Sequence, residues 1–93
     1  MAASLWHLQQ KKERLKREIN EALDFVSGSI TSHGKNGGFV LTHKVKTVTK
    51  SRYIRVGMLS EVRRMTKNNK KLKRLLKELS DLNWEIIKLS HGS

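Results

Sequence analysis

The stretch KLKRLLKELSDLNWEIIKL, residues 71–89, decides how this chain folds. Leu72, Leu75, Leu79, Leu82, Ile86 and Leu89 recur in it at alternating intervals of three and four. On a helix of ~3.6 residues per turn that spacing aligns them in one stripe, the seam of a heptad repeat. Extended toward the N-terminus, the same register passes through Asn68, Met65, Glu61 and Met58, with Leu76 and Val62 beside it. The pattern predicts a helix over 58–90, either continuous or broken near Asn68-Asn69, entered at Gly57 and left at His91-Gly92-Ser93. No proline occurs anywhere in the chain, so nothing in the sequence forces an interruption.

A second seam opens the chain. Leu5, Leu8, Leu15, Ile19, Ala22 and Val26 share the three-four spacing, with Lys12 in the missing position. This predicts a helix over 4–27, with Ser4 as N-cap and Ser27-Gly28-Ser29 as its end, where Gly28 can adopt the left-handed conformation. Residues 28–38 hold few apolar side chains and several glycines, and read as a loop. Residues 39–56 change to Val, Thr, Ile, Tyr and Phe, the set that suits a pleated surface. Two strands there, 39–45 and 48–55, turn at Lys46-Thr47 and bring Phe39 opposite Ile54 and Val45 opposite Val48. The expected fold class is α+β, mostly α, in a single domain over 1–93: long N-terminal helix, β-hairpin, long C-terminal helix. The two seams are expected to bury as an antiparallel helical pair. A lone pair of helices is thinly stabilised, so a homodimer sharing one core is expected, with Lys12 and Asn68 as polar seam positions that set its register.

Charge narrows the function. The chain has 93 residues, 20 Lys and Arg against 8 Asp and Glu, and a formal net charge of +12. Residues 1–26 hold five bases and four acids and are nearly neutral, so the excess lies beyond them. Between Val62 and Lys77 there are eight Lys or Arg and no acid. Within that span Arg63, Lys67, Lys70, Arg74 and Lys77 are spaced four, three, four, three, which makes one continuous helical face opposite the leucines; Trp84 lies one heptad further on. A face that is merely solvated usually interleaves glutamate with lysine, because like charges three or four apart repel. The hairpin region repeats the signal: from Phe25 to Ser60 there is no acid, while Lys35, Lys44, Lys46, Lys50, Arg52 and Arg55 are present. Edge protection explains a few exposed lysines on strands, but not the loss of every acid. These eleven cations are the candidate nucleic-acid-binding residues, with DNA or RNA as the expected partner.

Other chemistries find little footing. There are no cysteines, hence no disulfide frame or thiolate metal site. His7, His33, His43 and His91 are scattered, without a carboxylate or second histidine at ligand or triad spacing, so no enzyme, metal, cofactor or small-molecule substrate is expected. The segment Gly34-Lys35-Asn36-Gly37-Gly38 could cradle a phosphate through backbone amides, but matches no phosphate-loop pattern and reads better as a connector. Trp6 and Trp84 are expected to pack in a core or interface. No membrane span and no signal-peptide pattern are evident, and a cytoplasmic protein is expected.

From Gly28 to Leu89 the chain resembles an uncharacterised family of small bacterial proteins often encoded beside transposases. The resemblance rests on Gly28-Ser29-Ile30, Leu41-Thr42-His43-Lys44-Val45, Arg52-Tyr53-Ile54, Val62-Arg63, Lys71-Leu72, and Leu75-Leu76 through Leu79-Ser80-Asp81-Leu82-Asn83. The cysteine cluster usual in that family after the Gly-Ser-Ile segment is missing here, so no metal-linked role carries over. The resemblance implies a bacterial or phage origin and a mobile-element context. The leading expectation is a small, basic, non-enzymatic nucleic-acid-binding accessory protein. The alternative is an adaptor or inhibitor docking on a nucleic-acid-processing complex, such as a nuclease, transposase or CRISPR-type effector; a purely structural coiled-coil module is the third reading.

Overall fold

A computed structural model describes residues 4–33 and 38–92. The order of elements is α1 (Leu5–Glu21), β1 (Ser29–His33), β2 (Gly38–Val45), β3 (Val48–Ile54), a 3-10 turn (Val56–Met58) and α2 (Leu59–Ser90). The fold is α+β and mostly helical, and the chain divides into two compact units, Met1–Leu23 with Lys71–Ser93, and Asp24–Lys70.

The first unit pairs α1 with the C-terminal half of α2. Leu15, Leu75 and Leu82 form its buried centre, and Leu8, Ile19, Leu79 and Ile86 pack around them. Each of these is a seam position, so the three-four spacing translates directly into packing. Full burial of one such leucine is worth roughly 1.5–3 kcal/mol, and a core this small leaves little margin. Ser4 caps α1, its hydroxyl accepting from the His7 amide at 3.3 Å. Trp6 and Trp84 are 62% and 60% exposed, so of the core or interface packing expected for them the core of this chain is not where they lie.

Helix α1 is shorter than its hydrophobic pattern. It stops at Glu21 with Ala22 as C-cap, whereas the heptad spacing runs on to Val26. The reason is found in the second unit, where α2 holds the next residues in a non-helical path. The Asn68 amide donates to the Asp24 carbonyl at 2.7 Å, the Val26 amide donates to the Met65 carbonyl at 3.2 Å, and Arg64 reaches the Asp24 carboxylate at 3.0 Å. Asn68 thus meets backbone of its own chain. Helix α2 itself is continuous through Asn68-Asn69, with Glu61 in its first turn and Lys88 in its last, the signs that suit its dipole.

The rest of the second unit is a three-stranded antiparallel sheet in the order β1-β2-β3. The β2–β3 hairpin has the register read from sequence: Phe39 faces Ile54 and Val45 faces Val48, around Lys46-Thr47. Lys46 has φ 59°, and no positive φ occurs at Thr47, the pattern of a type II′ turn that normally prefers glycine first. Strand β1 corrects the expectation of a loop over 28–38. Ser29–His33 pairs along β2, with Ile30 opposite Leu41. Gly28 admits this pairing: at φ +134° a Cβ there would stand 2.6 Å from the Thr42 carbonyl oxygen. Pleating puts Ile30, Phe39, Leu41 and Ile54 on one face, and Leu41 and Ile54 are buried on it. Residues 34–37, including Lys35 and most of the glycine-rich segment, lie outside the described residues.

Candidate nucleic-acid interface

The first half of α2 lies against the core-bearing face of the sheet at Phe39, over whose ring the Arg63 guanidinium sits 5.6 Å from the centroid. That contact is a cation–π pairing, which leaves the guanidinium edge open to accept an anion. Below Arg63 a cleft of about 290 Å³ is lined by Arg63, Thr66, Lys67 and Lys70 from the helix and by Gly28, Ser29 and Ile30 from the start of β1. Arg63, Lys67 and Lys70 recur at four and three, so the helix places them in successive turns along one side of this cleft. The Thr66 hydroxyl is turned back to donate to the Arg63 carbonyl at 3.0 Å, leaving the three cations as the principal donors.

Acids are missing from the lining, and this is what gives the cleft its character. Among the described residues Arg63, Lys67 and Lys70 make no ion pair. Arg64 differs, although it is adjacent in sequence. Its guanidinium bonds Glu61 at 2.8 Å and Asp24 at 3.0 Å, and the hydrogen bond to Glu61, then that to Asp24, holds its proton more firmly than in an isolated arginine. The acids available to this unit are therefore committed to Arg64, and the neighbouring cleft keeps its full charge.

The remaining candidate residues are not gathered at one place. Lys44 shares a sheet face with Thr49, Ser51 and Tyr53, whereas Lys50 and Arg52 lie on the opposite face with His43 and Leu41. Lys46 occupies the turn and Arg55 caps the 3-10 helix. A basic ribbon presenting Lys44, Lys46, Lys50 and Arg52 together is not what the pleat produces. Arg74 and Lys77 are exposed on α2 within the first unit. Sequence reading missed the contribution of Gly28-Ser29-Ile30 to the cleft, because β1 was not recognised; the β-branched pair Ile30-Thr31 was the available signal.

Among the described residues no cluster of His, Cys, Asp or Glu could hold a metal ion, and no helix is long and apolar enough to cross a membrane. Comparison with protein-family models, with curated proteins and with solved structures finds no match. The residues of this chain alone carry the functional reading.

Proposed function

We propose that the protein is a small, non-enzymatic, nucleic-acid-binding accessory protein whose Arg63, Lys67 and Lys70 take up backbone phosphates in the cleft beside β1. The observation that carries this reading is a cleft lined by three cations and no acid, beside an arginine that has two carboxylates to itself. Placing like charges at intervals of three and four on one helix costs stability, and an external polyanion offsets that cost. Phosphate contacts of this kind position a nucleic acid without reading its sequence.

Purification of the full chain without nuclease treatment tests the reading. Co-eluting material absorbing most strongly at 260 nm, and lost after a high-salt wash, supports it. A protein preparation free of nucleic acid that also fails to bind duplex or single strands at low ionic strength refutes it. Stoichiometric recovery of one acidic protein after nuclease treatment would favour the adaptor alternative.

A further inference from the structure

The two faces of the sheet differ in composition. One carries Leu41 and Ile54, both buried, and Phe39, over which Arg63 of α2 sits. The register gives the other face Thr31, Val40, Thr42, Lys44, Ser51 and Tyr53. Of these six only Val40 and Tyr53 are apolar, and Tyr53 is 67% exposed. Its ring leans diagonally across the strand pair. A Cβ at Gly38, two residues before the cross-strand partner Val40, would stand 3.3 Å from Tyr53 Cε2 and 3.9 Å from its Oη. Glycine at 38 thus leaves the space in which the ring comes down onto β2, with one side resting on the sheet and the other turned to solvent.

An exposed aromatic side chain is ordinary by itself; what surrounds this one is not. The Thr42 hydroxyl is committed to the Ser29 carbonyl at 3.2 Å, which leaves Thr31 and Ser51 as the exposed hydroxyls flanking the Tyr53–Val40 pair. Lys44 shares the face, about 13 Å along β2 from Val40 at ~3.4 Å per residue, and Lys46 follows in the turn. No acid occurs between Phe25 and Ser60, so every charge near the ring is positive. A protein partner needs a wider apolar centre than one ring and one valine. An unpaired nucleobase needs what is present: a π-face to stack on, hydroxyls for its edge, and cations for the phosphates that follow. A base inside a duplex is stacked between its neighbours and has no face to offer.

We infer that this face of the sheet binds single-stranded nucleic acid, with one base stacked on Tyr53 and the strand running along β2 toward Lys44 and Lys46. The inference rests on the nucleic-acid reading of the cleft and names the form that is preferred. The cleft takes phosphates from a duplex or a single strand alike, whereas Tyr53 takes a base that only an unpaired strand offers. Tyr53→Leu should therefore weaken binding of a single strand roughly tenfold or more and leave duplex binding unchanged. Tyr53→Phe keeps the ring and should bind as the wild type does. Lys44→Gln should lower the salt slope for a single strand by about 0.7.

Tyr53 is the single tyrosine of the chain, so isotope-labelled tyrosine gives the full-length protein one set of ring signals to follow. The probes are oligomers of thymidine and of uridine, neither of which pairs with itself, a DNA duplex, and polyglutamate as a polyanion without bases. Saturable upfield movement of the ring signals with either single strand, and not with the duplex or polyglutamate, is the expected result; the more effective oligomer identifies the sugar. Ring signals that stay in place while the amides of Gly28–Ile30 and Arg63–Lys70 respond to the same oligomers overturn the inference and leave the cleft reading standing. No response at either place refutes both. Equal losses of duplex and single-strand binding in Tyr53→Leu, with an unchanged circular dichroism spectrum, also overturn it. So does ring movement as large with polyglutamate, which would assign the face to an acidic protein.

Discussion

Replacing Arg63, Lys67 and Lys70 together by alanine isolates the contribution of the cleft. Each phosphate neutralised on a duplex releases about 0.9 of a counterion, which lowers the log–log slope of affinity against salt by about 0.9. At roughly 0.15 M salt one such release contributes about 1 kcal/mol, from 0.9 × RT × ln(1/0.15) with RT ~0.59 kcal/mol. Three cations without an acid partner among the described residues therefore account for about 3 kcal/mol, or an affinity loss on the order of 150-fold. The triple variant should also lose about 2.7 from the slope, so its deficit against wild type narrows by about 40-fold between 50 and 200 mM salt. Fluorescence anisotropy with a short labelled duplex measures both quantities in one series. Arg64→Ala is the internal comparison: its charge is already matched by Glu61 and Asp24, and it should change the slope by much less than one cleft residue. Equal slopes for wild type and the triple variant, or a larger effect from Arg64 than from Lys67, would refute the reasoning.

Gly28→Ala should destabilise the fold by roughly 2–3 kcal/mol or more, because a positive φ and a 2.6 Å approach to the Thr42 carbonyl both oppose a methyl group; urea denaturation reads this directly. Asn68→Leu restores an apolar seam, yet it should lower stability by about 1 kcal/mol, since the Asp24 carbonyl loses its donor; a gain in stability would contradict this. Lys46→Gly relieves a left-handed non-glycine residue and should raise stability by roughly 1 kcal/mol in the same assay. Leu75→Ala, at the centre of the three-leucine core, should cost about 2–5 kcal/mol and broaden or abolish the thermal transition of the helical unit.

The helices and the hairpin were legible because each depends on local spacing. Leu72, Leu75, Leu79 and Leu82 declare a stripe whatever they pack against, and the alternation from Phe39 to Ile54 sets a register that a two-residue turn can close. Strand β1 was less legible because it contains one strongly apolar residue, Ile30, in a polar setting, and its pairing depends on Gly28 thirteen residues away from Leu41. The early end of α1 was hidden for a related reason. Nothing in residues 22–27 breaks a helix, and the bonds from Asn68, Arg64 and Met65 that redirect them come from more than thirty-five residues downstream. In the candidate site the helical cations followed from periodicity. Which of them keep their charge unmatched did not, because it turns on Asp24 and Glu61 both choosing Arg64.

The most direct test of phosphate binding in the cleft is an amide chemical-shift titration of the full-length protein with a short DNA duplex and, separately, an RNA strand. Phosphate binding there gives saturable shifts concentrated on Gly28, Ser29, Ile30 and on α2 from Arg63 to Lys70, with the same residues responding to salt. Saturable shifts confined to Leu76–Ile87 or to the Lys46-Thr47 turn, with the cleft residues unmoved, would contradict it.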